Sequence, residues 1–173
     1  SEEDVLDRVV KANQFMNADL IVEITADCPF TDPLIVDLAV ETYLSNNYDV
    51  VSNCGNNLTW PLGQYAQVFS LDLLSKVNKS ITDAAIHEHV SLYFYENSDI
   101  YNIYELIAPL KWRYPKMRLV IDYEEDLIFH RKVFDMLFEK HNIFFNIDDI
   151  IKLVNDHPEI EKINCHCKEK SAR

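Results

Sequence analysis

The sequence predicts an α/β domain with a largely parallel sheet, and three observations support this fold class. Short β-branched and apolar runs alternate with amphipathic segments along the whole chain. The run at 20–25 is mostly β-branched and apolar, as expected for a buried strand. No repeat, low-complexity tract or linker interrupts residues 1–173, so we expect a single domain. With 48% hydrophobic residues, the chain can bury one sizeable core.

In the first part of the chain, apolar spacing and turn residues mark each element. Residues 3–16 have apolar side chains at helical spacing, and the run at 20–25 predicts a buried strand. Asp32-Pro33 supplies an N-cap and a first-turn proline for the next helix. Residues 48–52 predict a second strand, and the asparagine-rich segment 53–64 predicts a loop.

The remaining elements follow from the same patterns. Strands are predicted at 65–70, 101–107 and 117–121, and helices at 71–77, 83–97 and about 124–140, with two short helices at the end, the second of which begins at Pro158.

Composition excludes several classes of function. Sixteen basic against 29 acidic residues give a formal charge of −13, which disfavours nucleic-acid binding. No apolar run is long enough for a membrane helix and the N-terminus is acidic, so we expect a soluble, cytoplasmic protein. The sequence has 2 glycines, which rules out a glycine-rich phosphate loop within this chain.

Hydrolase and zinc-protease chemistry are also disfavoured. The sequence contains no G-x-S-x-G motif, and the negative charge of Asp27 would raise the pKa of the adjacent Cys28 thiol. His87 and His89 are two residues apart, so their imidazoles point to different helix faces. Cys165-His166-Cys167 lacks a second ligand pair, and the four cysteines are expected to be free thiols.

Two acidic residues stand where a parallel sheet would place a ligand. Asp27 and Asp122 each follow a predicted strand by one or two residues, and Ser52-Asn53 follows another. Hard carboxylate oxygens suit Mg²⁺, which commonly takes one or two protein carboxylates together with water and phosphate. Alternatively, Asp27 and Asp122 cap the helices that follow them.

Four runs together resemble the cytidylyltransferase family, in particular its acylneuraminate and spore-coat-polysaccharide branches. In order along the chain, the runs are residues 3–8, 18–33, 88–91 and 118–126. The resemblance implies a Rossmann-like nucleotidyltransferase fold with three α/β/α layers, of which this chain would be the C-terminal two-thirds. We therefore expect the family's N-terminal strand and basic, glycine-containing nucleotide loop to be missing.

The resemblance also implies an activity and roles for particular residues. The expected reaction transfers CMP from CTP to a sugar hydroxyl and releases pyrophosphate, and the product would serve surface-polysaccharide synthesis. Asp27 and Asp122 match the family's Mg²⁺-side carboxylates, and His89, with Glu88 beside it, matches a position near the sugar. Asn53 and Gln67 are predicted as further substrate-binding residues.

The chain departs from the family pattern at several positions. Tyr65 and Gln67 stand where acidic residues are usual, Ala26 replaces a glycine, and Glu23 lies near the place of a common arginine. Two rival functions stay open: a non-catalytic sugar-binding or dimerisation module on the same scaffold, and a metal-dependent glycosyltransferase. Loss of the first βαβ unit would expose an apolar sheet edge, so a homodimer is expected.

Overall fold

The computed structural model describes residues 4–55 and 57–168, which form a mixed α/β structure. Its strands are β1 (Leu20–Glu23), β2 (Val50–Ser52), β3 (Gln67–Ser70) and β4 (Ile103–Glu105). Its helices are α1 (Val5–Phe15), α2 (Pro33–Leu44), α3 (Leu71–Ser80), α4 (Ala84–Glu88), α5 (Leu92–Glu96), α6 (Glu124–His141), α7 (Ile147–Asp156) and α8 (Pro158–Glu161), with a 3-10 turn at Leu110–Trp112.

The four strands lie in the order β1-β3-β2-β4. β3 is antiparallel to both of its neighbours, whereas β2 and β4 form a parallel pair. The prediction of a largely parallel sheet is therefore wrong. The chain reaches β3 from β2 through a loop without a crossover helix, and parallel neighbours need such a crossover.

The sheet has helices on both faces, in agreement with the expected three layers. On one face, the cross-strand row Ile21, Phe69, Val50 and Ile103 packs against α1, α3, α4 and α5. On the opposite face, Val51 and Val68 pack against α2. A separate apolar cluster joins α6, α7 and α8 to the loop segments around Trp60 and Met117. The central strands β2 and β3 are therefore buried on both faces, whereas β1 and β4 at the edges are partly exposed.

Two predicted elements differ in detail. Residues 117–121 form no regular strand, and Arg118 makes a single bridge to Leu62. The neighbouring segment contains Pro61 and the positive-φ Gly63 (φ 92°), which cannot continue a ladder. The helix predicted at 83–97 is broken into α4 and α5, because the chain turns between them to place Val90 in the core.

Gly63 provides a direct test of this packing. A β-carbon at this position would collide with the backbone of Leu119, and its positive φ disfavours any L side chain. Gly63→Ala should therefore lower the free energy of unfolding by at least about 2 kcal/mol, measured by urea denaturation. In Gly55→Ala, the new β-carbon would meet the end of the flexible Glu105 side chain. A smaller loss is expected there, and equal losses would contradict the account.

Candidate functional site

Three loop segments are joined edge to edge by backbone hydrogen bonds. Leu62 N–H donates to Met117 C=O (2.9 Å), and Leu119 N–H donates back to Leu62 C=O (2.7 Å). One step further, Ile121 N–H donates to Asp27 C=O (2.8 Å). The ladder holds Asp27 beside the residue that precedes Asp122. Two aspartates that are 95 positions apart in the sequence thus lie on adjoining segments.

Neither aspartate is the N-cap of the helix that follows it. The N-cap of α2 is Asp32, whose Oδ1 accepts the Leu34 N–H at 2.9 Å, while Asp27 lies exposed before it. The N-cap of α6 is Tyr123. Its N–H is accepted by Asp126 Oδ2 at 3.1 Å, as is the Asp122 N–H at 3.0 Å. The capping alternative is therefore wrong for both residues.

A buried ion-pair network fixes Asp122. The Arg118 guanidinium, 2% exposed, donates through Nη2 to Asp122 and through Nε to Asp126 Oδ1 at 2.8 Å. Asn164 donates a further hydrogen bond to Asp126 at 3.0 Å. Burial is the largest single influence and opposes ionisation of Asp126, but the hydrogen bonds from Arg118, the Asp122 N–H and Asn164 together outweigh it and hold the pKa of that carboxyl below its ordinary value. Asp122 is thus anchored by a permanently charged partner.

The donor set around Asp27 and Asp122 fits Mg²⁺ better than a transition metal. Both are carboxylates, and among residues 4–55 and 57–168 no group of three or more His, Cys, Asp and Glu side chains could hold a metal ion. Mg²⁺ is commonly bound by one or two protein carboxylates and completes its octahedron with water and phosphate oxygens. The pair could therefore hold Mg²⁺ together with a nucleotide.

A second polar feature crosses the sheet at the carboxyl end of β1, the end that leads to Asp27. Glu23 pairs in register with Gln67, Gln67 with Ser52, and Ser52 with Glu105. Residues in register share a face, so these four form one polar row, next to the apolar row of that face. We call it the strand-end row. Glu23, Ser52 and Glu105 are the last residues of β1, β2 and β4, so the row lies at the carboxyl ends of these strands.

Tyr95 of α5 covers the centre of the strand-end row. Its hydroxyl hydrogen-bonds Ser52 Oγ at 2.6 Å and the Gln67 side-chain oxygen. Gln67 Nε2 donates to Glu23 Oε2 at 3.4 Å, and the Ser91 hydroxyl bonds the same carboxyl. Burial raises the pKa of Glu23 to about 7, and the Ser91 bond only partly opposes this shift. Near neutral pH, both the charged and the neutral form of this carboxyl are therefore populated.

The comparisons with known proteins agree with this architecture. The chain matches the family described as "Cytidylyltransferase" over residues 1–163. The chain belongs to the cytidylyltransferase family.

Individual relatives and a solved structure support the assignment. Over its whole length the chain is 35% identical to the uncharacterized protein MJ1063 of Methanocaldococcus jannaschii, of which it covers 68%. It is 30% identical to the spore coat polysaccharide biosynthesis protein SpsF of Bacillus subtilis, with 92% of the chain and 64% of SpsF aligned. A cytidylyltransferase structure from Leptospira borgpetersenii matches 98% of the chain and 68% of its own, at 26% identity and a TM-score of 0.81.

Membership of this family and the shared fold confirm the predicted Rossmann-like nucleotidyltransferase architecture and enzyme class. The chain spans about two-thirds of the length of these relatives. None of the described helices is long and apolar enough to cross a lipid bilayer.

The other predicted site residues fall into two groups. Asn53 is 2% exposed, accepts the Ala66 N–H at 2.8 Å and donates to the Gln64 carbonyl, so its visible contacts stabilise the loop. Gln67 belongs to the strand-end row, and Glu88 and His89 lie exposed at the end of α4. Substrate binding by these four residues stays a prediction.

The cysteines of the described residues are free. Burial raises the pKa of the Cys28 thiol to about 12, and Asp27 adds to the shift. Burial likewise raises the pKa of Cys54 to about 11. Both thiols are therefore poor nucleophiles at neutral pH, although burial, and not the Asp27 charge, is the main cause.

Sequence reasoning missed Tyr95, Ser91, Glu105 and Arg118 as parts of these networks. The positions of Tyr95, Ser91 and Glu105 depend on strand register and on the break between α4 and α5. The position of Arg118 depends on the loop bridge to Leu62, and one sequence reveals none of these contacts. A signal did exist for Glu23, since an acidic residue inside a predicted buried strand needs an explanation.

The raised pKa of Glu23 makes stability depend on pH. Between its ordinary pKa and about 7 the folded state keeps the proton more tightly than the unfolded state, so Glu23 costs stability as pH rises through this range. Cys54 and Tyr95, which face Glu23, keep their protons because their own pKa values are raised. Glu23→Gln should match the wild type near about pH 5 and melt roughly 2–4 °C higher near about pH 8.

The control is Glu41→Gln, which changes an exposed side chain on α2, across the sheet. It should give the same melting difference at both pH values in differential scanning calorimetry. A Glu23→Gln variant that melts below the wild type at the higher pH would show that the charged carboxylate is stabilised instead.

Proposed function

We propose that this protein transfers CMP from CTP to a sugar hydroxyl in an Mg²⁺-dependent reaction. The observation that carries the proposal is the backbone contact that sets Asp27 beside the segment bearing Asp122, in a chain of the cytidylyltransferase family. The name of the SpsF relative, with its spore coat polysaccharide, supports a polysaccharide precursor as the product.

The reaction is a phosphoryl-type substitution at the α-phosphorus. The sugar oxygen forms a new bond to this phosphorus, the α–β anhydride bond breaks, and pyrophosphate leaves with its bonding electrons. The hydroxyl proton is released to solvent or to a nearby base. Such transfers depend on positioning and charge neutralisation rather than on a covalent enzyme intermediate.

The chain's own residues would divide this work. Asp27 and Asp122 would hold Mg²⁺, which supplies charge neutralisation on the phosphates when bound. Arg118 and Asp126 act as positioning residues, because they orient Asp122 without leaving the buried network. The homodimer expected from the sequence stays a prediction.

Replacing either aspartate should abolish transfer without unfolding the protein. We expect Asp27→Asn and Asp122→Asn each to reduce Mg²⁺-dependent pyrophosphate release by at least about 100-fold, because each removes an anionic metal ligand. The assay uses the full-length protein with CTP and a panel of sugars.

The matched control is Asp19→Asn, an exposed aspartate that precedes the opposite end of β1. It should retain full activity. Wild-type rates in both site variants, or an equal loss in Asp19→Asn, would overturn the metal assignment.

A further inference from the structure

Glu23 is a half-buried carboxyl group with no cationic partner among residues 4–55 and 57–168. Its side-chain partners are the Gln67 amide and the Ser91 hydroxyl. None of the ion pairs among the described residues includes it. By contrast, the buried Asp126 has both a guanidinium and several N–H donors. A half-buried carboxylate whose partners are all neutral is unusual, and a positively charged group would be a favourable ligand for it.

The strand-end row supplies polar groups but no positive charge. It contains two carboxyl groups, an amide and a hydroxyl, and it is covered by the phenol of Tyr95. At the far end of the row, Glu105 accepts a hydrogen bond from the Asn57 side chain. Glu23 is therefore the carboxylate for which an external cation would supply the compensating charge.

The location of Glu23 connects it with the proposed reaction centre. It is the last residue of β1, and Asp27 follows four residues later. Cys28 Sγ donates to Asp27 Oδ1 at 3.6 Å, and Cys54 interacts electrostatically with both Cys28 and Glu23. In α/β sheets, ligands bind beyond the carboxyl ends of the strands. A group that contacts Glu23 can thus belong to a molecule whose other end reaches Asp27.

We propose that Glu23 is a specificity-determining residue that receives a protonated amine of the acceptor, so that the preferred substrate is an amino sugar. The Ser91 hydroxyl and the Gln67 amide orient the carboxylate, and the ammonium group neutralises it. An acceptor with a carboxylate at this position would meet a like charge and would be repelled. The inference rests on the proposed function for the identity of the reaction, whereas the binding itself can be measured alone.

Binding to the chain without nucleotide gives the first test. Saturation-transfer NMR would compare glucose, glucuronate and four amino-deoxyglucoses that carry the amine at carbon 2, 3, 4 or 6. We expect at least one amino sugar to bind about tenfold more tightly than glucose, as one charge-assisted hydrogen bond allows, and glucuronate to bind more weakly. Glu23→Gln should remove this preference, and Glu41→Gln should keep it.

Two results would overturn the inference: no amino sugar binds better than glucose, or the preference survives in Glu23→Gln. Pyrophosphate release separates this failure from failure of the proposed function. If the protein releases pyrophosphate with an acidic or neutral sugar but with no amino sugar, and this release needs Asp27, then the amino-sugar inference is wrong and the proposed reaction is retained. If an amino sugar binds through Glu23 but the protein never releases pyrophosphate, then the proposed reaction is wrong and the amine-binding role of Glu23 is retained.

Discussion

The hydrogen bond from Ile121 N–H to the Asp27 carbonyl is the constraint on which the candidate site depends. It extends the short ladder between Leu62 and Met117–Leu119, and the close approach of Gly63 to Leu119 permits that ladder. A bulky residue at position 63 would push the segments around Leu62 and Leu119 apart. Asp27 and Asp122 would then no longer be held on adjoining segments. Backbone geometry, more than any side-chain contact, is what brings the segments that bear Asp27 and Asp122 together.

Two acidic side chains, Asp126 and Glu23, differ in how the surrounding structure compensates their charge. Asp126 is completely buried but remains ionised, because Arg118, Asn164 and two backbone N–H groups compensate its charge. Glu23 is less enclosed, yet it has two neutral partners and its pKa rises to about 7. The first arrangement gives a rigid support for Asp122, and the second leaves a carboxyl group that responds to a ligand.

Local sequence signals predicted most helices and strands. They failed for features that depend on contacts between residues far apart in the sequence, such as strand order. Asp32-Pro33 identified the start of α2, and the acidic residues after Tyr123 marked that of α6. Strand order was not predictable, because apolar runs look alike in parallel and antiparallel pairs. Asp27 and Asp122 were found from their positions after strand-like runs. In contrast, Glu23 and Gln67, both noted as departures from the family pattern, proved to be cross-strand partners, a relation visible only in the register.

The central claim is that Asp27 and Asp122 share one divalent cation. The most direct measurement is a crystal structure of the protein grown with CTP and MnCl₂, in which anomalous scattering locates the metal. The account predicts a peak with a carboxylate oxygen of each aspartate at about 2 Å, the distance of a direct ligand. A manganese ion coordinated by one of the two residues alone, or bound elsewhere beside the nucleotide, would contradict it.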